Sequence, residues 1–189
     1  MNKKSLLLAG IACVLYSTSS FAGWHELYQS TKYYVGADYV YDNYDFGGEF
    51  TDARKTYNSG MFNVGARMDR IGLEAFSQMS GNRTKDLGAA GKLKTKVDAY
   101  GLDMYVYQPI GCEGMFDIMA TAGIADYYYK GEVDDTSDSK NRLGYRIGGG
   151  MMYNMTDHIS ARVIGRYAYI GGKTLDHAAE VTTGLRYSF

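Results

Sequence analysis

The chain lacks the features that mark nucleic-acid-binding, disulfide-rich and helical membrane proteins. Its 189 residues include one proline and two cysteines, and 20 Lys and Arg residues nearly balance 21 Asp and Glu residues. This balance leaves no basic excess for nucleic acid. After residue 22, the most apolar stretch is residues 118–125, far below the ~20 residues of a transmembrane helix. Tyrosine and glycine are abundant instead, at 19 and 24 residues, and this composition favours strands and turns.

The N-terminal residues have the pattern of a secretory signal peptide. Two lysines precede an apolar run at residues 6–16, and residues 20–22 (Ser-Phe-Ala) carry small side chains at the two positions that a signal peptidase reads. We expect residues 1–22 to be removed and residues 23–31 to form a short periplasmic segment. Cys112 is then the one cysteine left, which excludes an intramolecular disulfide. It is either a free thiol or a bridge to a partner protein.

Residues 32–189 alternate between apolar and polar side chains. In the first segment Tyr33, Val35 and Ala37 fall on one face, and Gly36 and Asp38 fall on the other. Seven further segments alternate in the same way, and about nine to thirteen residues per segment suit a bilayer crossed at a tilt. The pattern predicts an all-β fold, an eight-stranded antiparallel up-and-down transmembrane β-barrel. The predicted links between the strands are 43–57, 69–70, 81–94, 108–115, 129–141, 155–157 and 170–177.

Two features favour a membrane barrel over a soluble sandwich or a lipocalin-like barrel, which alternate in the same way. Aromatic residues of the apolar face gather near the strand ends, as in the two girdles of an outer-membrane barrel. One predicted girdle contains Tyr39, Tyr41, Tyr100, Tyr128, Tyr145, Tyr167 and Tyr169, and the other contains Tyr33, Phe116, Tyr153, Tyr187 and Phe189. The predicted links are also alternately long and short, like outside loops and periplasmic turns, which places both chain ends in the periplasm.

The C-terminal nonapeptide, Val181-Thr182-Thr183-Gly184-Leu185-Arg186-Tyr187-Ser188-Phe189, ends on an aromatic residue. It resembles the terminal signal by which the assembly machinery recognises outer-membrane barrels, which implies an assembly role for Gly184, Leu185, Tyr187 and Phe189. Together with residues 34–38 and 153–160, it makes the chain resemble the small eight-stranded outer-membrane barrel family, which includes opacity-type and OmpA-barrel-like proteins. The resemblance implies the cell outer membrane as the location. It implies lipid, lipopolysaccharide and the barrel-assembly machinery as partners, but no activity, because this scaffold hosts unrelated functions.

Ten charged residues fall on the polar face and are expected inside the barrel. They are five acids and five bases: Asp38, Arg67, Glu74, Asp103, Asp117, Arg146, Arg162, Arg166, Glu180 and Arg186. An eight-stranded interior is narrow enough for side chains to fill it. Because unpaired charges are costly there, the near balance predicts a paired, structural network. A proton or ion path, or a gated pore, is the functional alternative. Arg67 and Glu74 are expected to pair across the turn at residues 69–70.

No catalytic, metal or cofactor site is predicted. Asp176-His177 is the one candidate catalytic cluster, and it has no neighbouring serine nucleophile in the sequence. The acidic residues 132–138 lack the spacing and the glycine of a calcium loop. The basic residues of the 81–94 region and of the residues just after it are expected near lipopolysaccharide phosphates.

Three classes of function remain open. The first is a non-catalytic surface barrel whose outer loops contact a ligand, a host or a phage, and whose body supports the envelope. The second is a narrow channel for ions or small solutes. The third, a lipid A-modifying enzyme, is disfavoured because a complete set of nucleophile, base and orienting residue is missing.

Overall fold

The computed structural model describes residues 31–46, 55–86, 92–111, 114–133, 136–171 and 175–189. The predicted signal peptide, residues 23–30 of the predicted periplasmic segment, and Cys112 lie outside the described residues. In the described ranges, no helix has the length and apolar character that crossing a membrane requires.

The described part of the chain consists of nine strands and the turns between them. The strands are β1 (Thr31–Phe46), β2 (Thr56–Met68), β3 (Ile71–Ser80), β4 (Arg83–Asp86), β5 (Lys92–Ile110), β6 (Phe116–Val133), β7 (Thr136–Asn154), β8 (Ile159–Tyr169) and β9 (Leu175–Ser188).

These strands close into one antiparallel barrel with eight positions in its wall. Neighbours follow the order β3-β2-β1-β9-β8-β7-β6-β5-β4, and the additional pairing of β3 with β5 closes the barrel. β3 and β4 share one wall position, because β3 pairs with residues 98–106 of β5 and β4 pairs with residues 92–95. The predicted eight-stranded up-and-down barrel is therefore confirmed.

The two faces of each strand are assigned as the alternation predicts. On β8, Val163 and Tyr167 are exposed on the outer face, whereas Arg162, Ile164 and Arg166 are buried on the inner face. We call the space enclosed by the inner faces the lumen. Because side chains alternate with a period of two, one correct assignment fixes the face of every residue in an uninterrupted strand.

The predicted links are too long where strands run past the apolar band. Most of the predicted link 129–141 is strand, because β6 continues to Val133 and β7 begins at Thr136. The predicted link 81–94 likewise contains β4 and the start of β5. In these extensions the outward-facing positions carry polar residues such as Lys130, so apolar and polar side chains no longer alternate. The backbone pairing between the strands nevertheless continues. The turns predicted at 69–70 and 155–157 do separate strands.

The lumen is filled at both ends by apolar and aromatic side chains. The larger cluster lies toward the ends of the strands at which β6 and β7 are joined, and it includes Tyr44, Phe46, Tyr57, Tyr127 and Tyr129. The smaller cluster lies toward the opposite end, and consists of Tyr105, Tyr107, Met119, Met152 and Ile164. A layer of charged side chains contacts both clusters. Glu180 accepts a hydrogen bond from Tyr127 of the larger cluster, and Glu74 accepts one from Tyr105 of the smaller cluster.

Candidate functional site

The charged layer of the lumen is the candidate functional site. The structure places nine of the ten predicted lumen charges in buried positions, namely Asp38, Glu74, Asp103, Asp117, Arg146, Arg162, Arg166, Glu180 and Arg186. The tenth, Arg67, is partly buried, with a side chain that is 22% exposed.

Glu74 on β3 is the centre of the largest group of contacts. Arg162 Nη1 lies 2.9 Å from Glu74 Oε2, and Arg186 Nη2 donates to the same oxygen at 2.6 Å. The hydroxyls of Tyr34 and Tyr105 donate to the two carboxylate oxygens, each at 3.1 Å. The Glu74 carboxylate thus accepts hydrogen bonds from two arginines and two tyrosines, which offsets its desolvation.

Arg162 joins Glu74 to a second carboxylate across the lumen. Its Nε donates to Asp38 Oδ1 at 2.9 Å, in addition to its bonds with Glu74. Asn63 also donates to Asp38, from Nδ2 to Oδ2 at 2.6 Å. Arg162 lies on β8, Asp38 lies on β1 with one strand between them, and Glu74 lies on β3 at the opposite side of the wall, so Arg162 links three parts of the barrel.

A second group of ion pairs contains Asp103, Arg146, Arg166 and Glu180. Arg146 Nη2 lies 3.1 Å from Asp103 Oδ2, and Arg146 Nη1 lies 3.6 Å from Glu180 Oε2. Arg166 Nη2 lies 3.6 Å from Asp103 Oδ2. The guanidinium of Arg146 also lies over the ring of Phe76, with 4.1 Å from its central carbon to the ring centroid, which is a cation–π geometry.

Arg67 pairs with Asp117 at one end of the lumen, and the predicted Arg67–Glu74 pair is wrong. Arg67 Nη1 and Nη2 donate to the Asp117 carboxylate at 2.8 and 3.1 Å. The two-residue turn sets Met68 opposite Ile71, so that Arg67 lies opposite Gly72 and Glu74 lies two residues deeper. The predicted pair requires equal depth, but the register separates the two charges.

Asp42 is a lumen carboxylate that the predicted network omits. Its fully buried side chain accepts hydrogen bonds from Ser59 Oγ at 2.7 Å and from Gln78 Nε2 at 2.9 Å. Asp42 lies four residues after Asp38, and the step of two already placed both residues on the inner face of β1. The predicted network also omits Tyr34 and Tyr105, which donate to Glu74, because it contains only charged residues.

Two lumen glycines leave room for the polar side chains of the neighbouring strand. A Cβ at Gly65 would overlap the hydroxyl and ring of Tyr34, and a Cβ at Gly184 would overlap the carboxylate of Asp38. Because Gly65 and Gly184 have no side chain, Tyr34 and Asp38 can lie over the backbone and reach the centre of the lumen.

The remaining candidate residues lie outside this layer. His177 is a partly exposed residue whose Nδ1 is 3.4 Å from Asp176 Oδ2 and whose Nε2 is 3.6 Å from Asp45 Oδ2. Its ring stacks on Tyr167. These contacts contain no serine–histidine pair of the kind that activates a nucleophile. In the described part of the chain, no group of three or more His, Cys, Asp or Glu residues is arranged to hold a metal ion.

The C-terminal residues lie at the seam between β9 and β1. Leu185, Tyr187 and Phe189 are exposed on the outer face, whereas Gly184 faces the lumen. The Phe189 N–H donates to Tyr33 O at 2.9 Å, and the aromatic rings of Tyr187 and Phe189 meet edge to face.

The chain is similar to proteins of one architecture. Residues 6–189 match the family described as outer membrane protein beta-barrel domain. Neisserial surface protein A has a TM-score of 0.66 at 15% identity, over 83% of this chain and 97% of that chain. A major outer membrane protein from Thermus thermophilus has a TM-score of 0.60 at 16% identity, over 84% and 99%. No curated protein sequence matches the chain.

The attachment invasion locus protein Ail of Yersinia pestis is also similar. Its TM-score is 0.55 at 12% identity, over 84% of this chain and 97% of that chain. At such identities the likeness to the three structures concerns the fold.

Proposed function

Because the chain belongs to the outer membrane protein β-barrel domain family, we propose that it is a non-catalytic surface barrel of the outer membrane. Its outer strand ends and loops are available to a ligand, a host or a phage, and its body supports the envelope. The observation that carries this proposal is the filled lumen. An eight-stranded barrel holds side chains rather than a wide aqueous channel, and here buried side chains occupy both ends and the middle.

The polar contacts in the lumen support a structural role for its charges. Glu74, Asp38 and Asp103 each lie beside at least one arginine. A gated pore needs charges that exchange partners or contact water, whereas these side chains are buried. Asp38 and Glu74 are hydrogen-bonded to Arg162, and Asp103 lies within ion-pair distance of Arg146 and Arg166. A network that fixes the barrel is therefore favoured over the ion path.

The orientation belongs to the same proposal. An even number of wall strands puts the start of β1 and the end of β9 at the same end of the barrel. The two-residue turn after β2 and the short turn between β7 and β8 lie at that end too. Since outer-membrane barrels have short periplasmic turns, we assign this end, with both termini, to the periplasm. The β6–β7 end then faces outward.

Conductance across a planar bilayer tests the proposal. The full-length mature chain, refolded and inserted, should give no conductance steps above the empty bilayer, because side chains fill its lumen. Lipid A mass spectra of a deletion strain should match those of the parent strain. Regular conductance steps from folded protein would support the channel instead, and a lost lipid A species that returns with the gene would support the enzyme.

Phe189 provides a second prediction, which concerns assembly. We expect Phe189→Ala to lower the amount of barrel in the outer membrane severalfold, because an assembly signal ends on this exposed aromatic residue. The substitution keeps the backbone hydrogen bond to Tyr33, so the unfolding midpoint of refolded protein should stay close to the original. The matched control is Phe116→Ala, which removes an exposed aromatic ring from another strand. Equal membrane levels of the two variants would contradict an assembly role.

A further inference from the structure

The charged layer of the lumen contains one carboxylate more than it has arginines. The five arginines of the predicted network face its five acids and, in addition, Asp42, whose side chain is fully buried on the inner face of β1. An uncompensated charge is costly in a narrow lumen that is filled by side chains. Among the described residues, the layer therefore lacks one positive charge.

The missing positive charge is needed at Asp42 and Glu180. These two residues lie directly opposite each other in the antiparallel register of β1 and β9, and both side chains are buried. Like charges that face each other across two strands destabilise the pair. No ion pair of Asp42 occurs within the described part of the chain, and Glu180 shares Arg146 with Asp103.

Three buried oxygen atoms beside this pair of acids accept no hydrogen bond within the residues that the structure describes. They are Gln78 Oε1, Tyr44 Oη and Glu180 Oε2, and the side chains of Gln78 and Tyr44 are each 1% exposed. The amide of Gln78 lies against Asp42, to which its Nε2 donates at 2.9 Å. Tyr44 follows Asp42 by two residues on the same face, and its hydroxyl interacts electrostatically with Asp42 and Glu180. Because buried polar atoms without a partner are rare in folded proteins, these oxygens indicate a bound group.

The chemistry of these atoms fits a small cation better than a proton. Carboxylate and amide oxygens are the ligands that hard cations prefer, and a cation can be coordinated by several oxygens at once, whereas a proton is held by one or two. Both oxygens of Asp42 already accept hydrogen bonds, from Gln78 and from Ser59. Such donors complement an ionised carboxylate. Since the layer lacks a single charge, the cation is monovalent.

We propose that the lumen binds one monovalent cation, such as Na⁺, between Asp42 and Glu180. Its ligands are the two carboxylates, Gln78 Oε1 and the hydroxyl oxygen of Tyr44, and we call this group the cation site. The bound cation removes the repulsion between the two acids. Because these acids lie on β1 and β9, the cation stabilises the pairing between the first and the last strand of the barrel.

Urea unfolding of the refolded mature chain in detergent, at increasing Na⁺ concentration, tests the proposal. N-methyl-D-glucamine, a cation too large for the site, keeps the ionic strength constant. Above the dissociation constant, each tenfold rise in Na⁺ should lower the equilibrium constant of unfolding about tenfold. Asp42→Asn, which removes the excess charge and one ligand, should abolish this dependence. The charge-matched control Asp126→Asn, on the outer face of β6, should keep it.

Tyr44→Phe provides a second variant that keeps every charge. It removes one proposed ligand, an oxygen that has no hydrogen-bond partner among the described residues, so the variant should fold as the original does. We expect the Na⁺ concentration of half-maximal stabilisation to rise severalfold. This variant tests the cation site if Asp42→Asn does not fold.

Two results would contradict the proposal. The same Na⁺ dependence in the original chain, in Asp42→Asn and in Asp126→Asn would show a general salt effect. Stability of the original chain that does not depend on Na⁺ would overturn the cation site. If that stability instead fell with rising pH, and did so only where Asp42 is present, the missing charge would be a proton. Neither result bears on the conductance measurement, which tests the surface-barrel proposal separately.

Discussion

Replacing Glu74 with alanine should reduce the free energy of unfolding by about 3–5 kcal/mol, as removal of one partner of a buried ion pair does. The carboxylate is fully buried and accepts from Arg162 and Arg186. Without it, Arg186 keeps no carboxylate within ion-pair distance in the described part of the chain, and Arg162 keeps only Asp38. The measurement is urea unfolding of the refolded barrel in detergent.

Ser77→Ala is the matched control for Glu74→Ala, because Ser77 lies on the same strand and on the outer face. It should change the unfolding free energy by less than about 1 kcal/mol, as surface substitutions usually do. If the two variants lost similar stability, Glu74 would not be the centre of the network.

Gly65→Val should also lower the free energy of unfolding clearly. A Cβ at Gly65 meets the Tyr34 ring and the backbone oxygen of Leu73, so the valine displaces Tyr34 from Glu74 or shifts the backbone. Overpacking of this kind typically costs about 1–3 kcal/mol. The lost Tyr34–Glu74 hydrogen bond adds to this cost.

Gly60→Val controls for the intrinsic strand preference of valine. Gly60 is on the same strand, and an added Cβ there meets nothing within 4 Å. Its valine variant should be as stable as the original or more stable. Equal unfolding midpoints for the two valine variants would show that the space above Gly65 is not needed by Tyr34.

The alternation of apolar and polar side chains predicts the wall of the barrel well, because the face of a residue depends only on its position within its own strand. A period of two assigns every residue of a strand to one face, so the pattern predicts Asp38 and Arg162 in the lumen whatever their partners are. The family match and the similar structures confirm the resemblance to small outer-membrane barrels. The strand ends are less predictable, since beyond the apolar band the outward-facing positions of β6 carry charged residues, Lys130 and Glu132, instead of apolar ones.

The partners inside the lumen were not predictable in this way. Arg162 meets Asp38, which is 124 residues away in the sequence, and it meets Glu74 from across the barrel. Such contacts depend on the register of all the strands that lie between the two residues in the wall, and on the rotamers of long side chains. The Arg67–Glu74 pair failed for a local reason, because a turn of two residues sets the register and leaves these charges at different depths.

Asp42 shows a different limit. The alternation predicts its face correctly, but the predicted network omits it, which leaves the expected acids and bases equal in number. In the structure its partners are Ser59 and Gln78 rather than an arginine. Matching acids to bases in the sequence identifies possible ion pairs. It does not identify a buried carboxylate whose hydrogen-bond donors are neutral side chains.

The central claim is that Glu74 is held across the lumen by Arg162, and a double-mutant cycle tests it most directly. Unfolding free energies of Glu74→Ala, Arg162→Ala and the double variant should be non-additive by about 1–3 kcal/mol, with the double variant recovering part of the loss. The same cycle for Arg67 and Glu74 should be additive to within about 0.5 kcal/mol. Additive losses for Arg162 and Glu74, together with coupling between Arg67 and Glu74, would contradict the account.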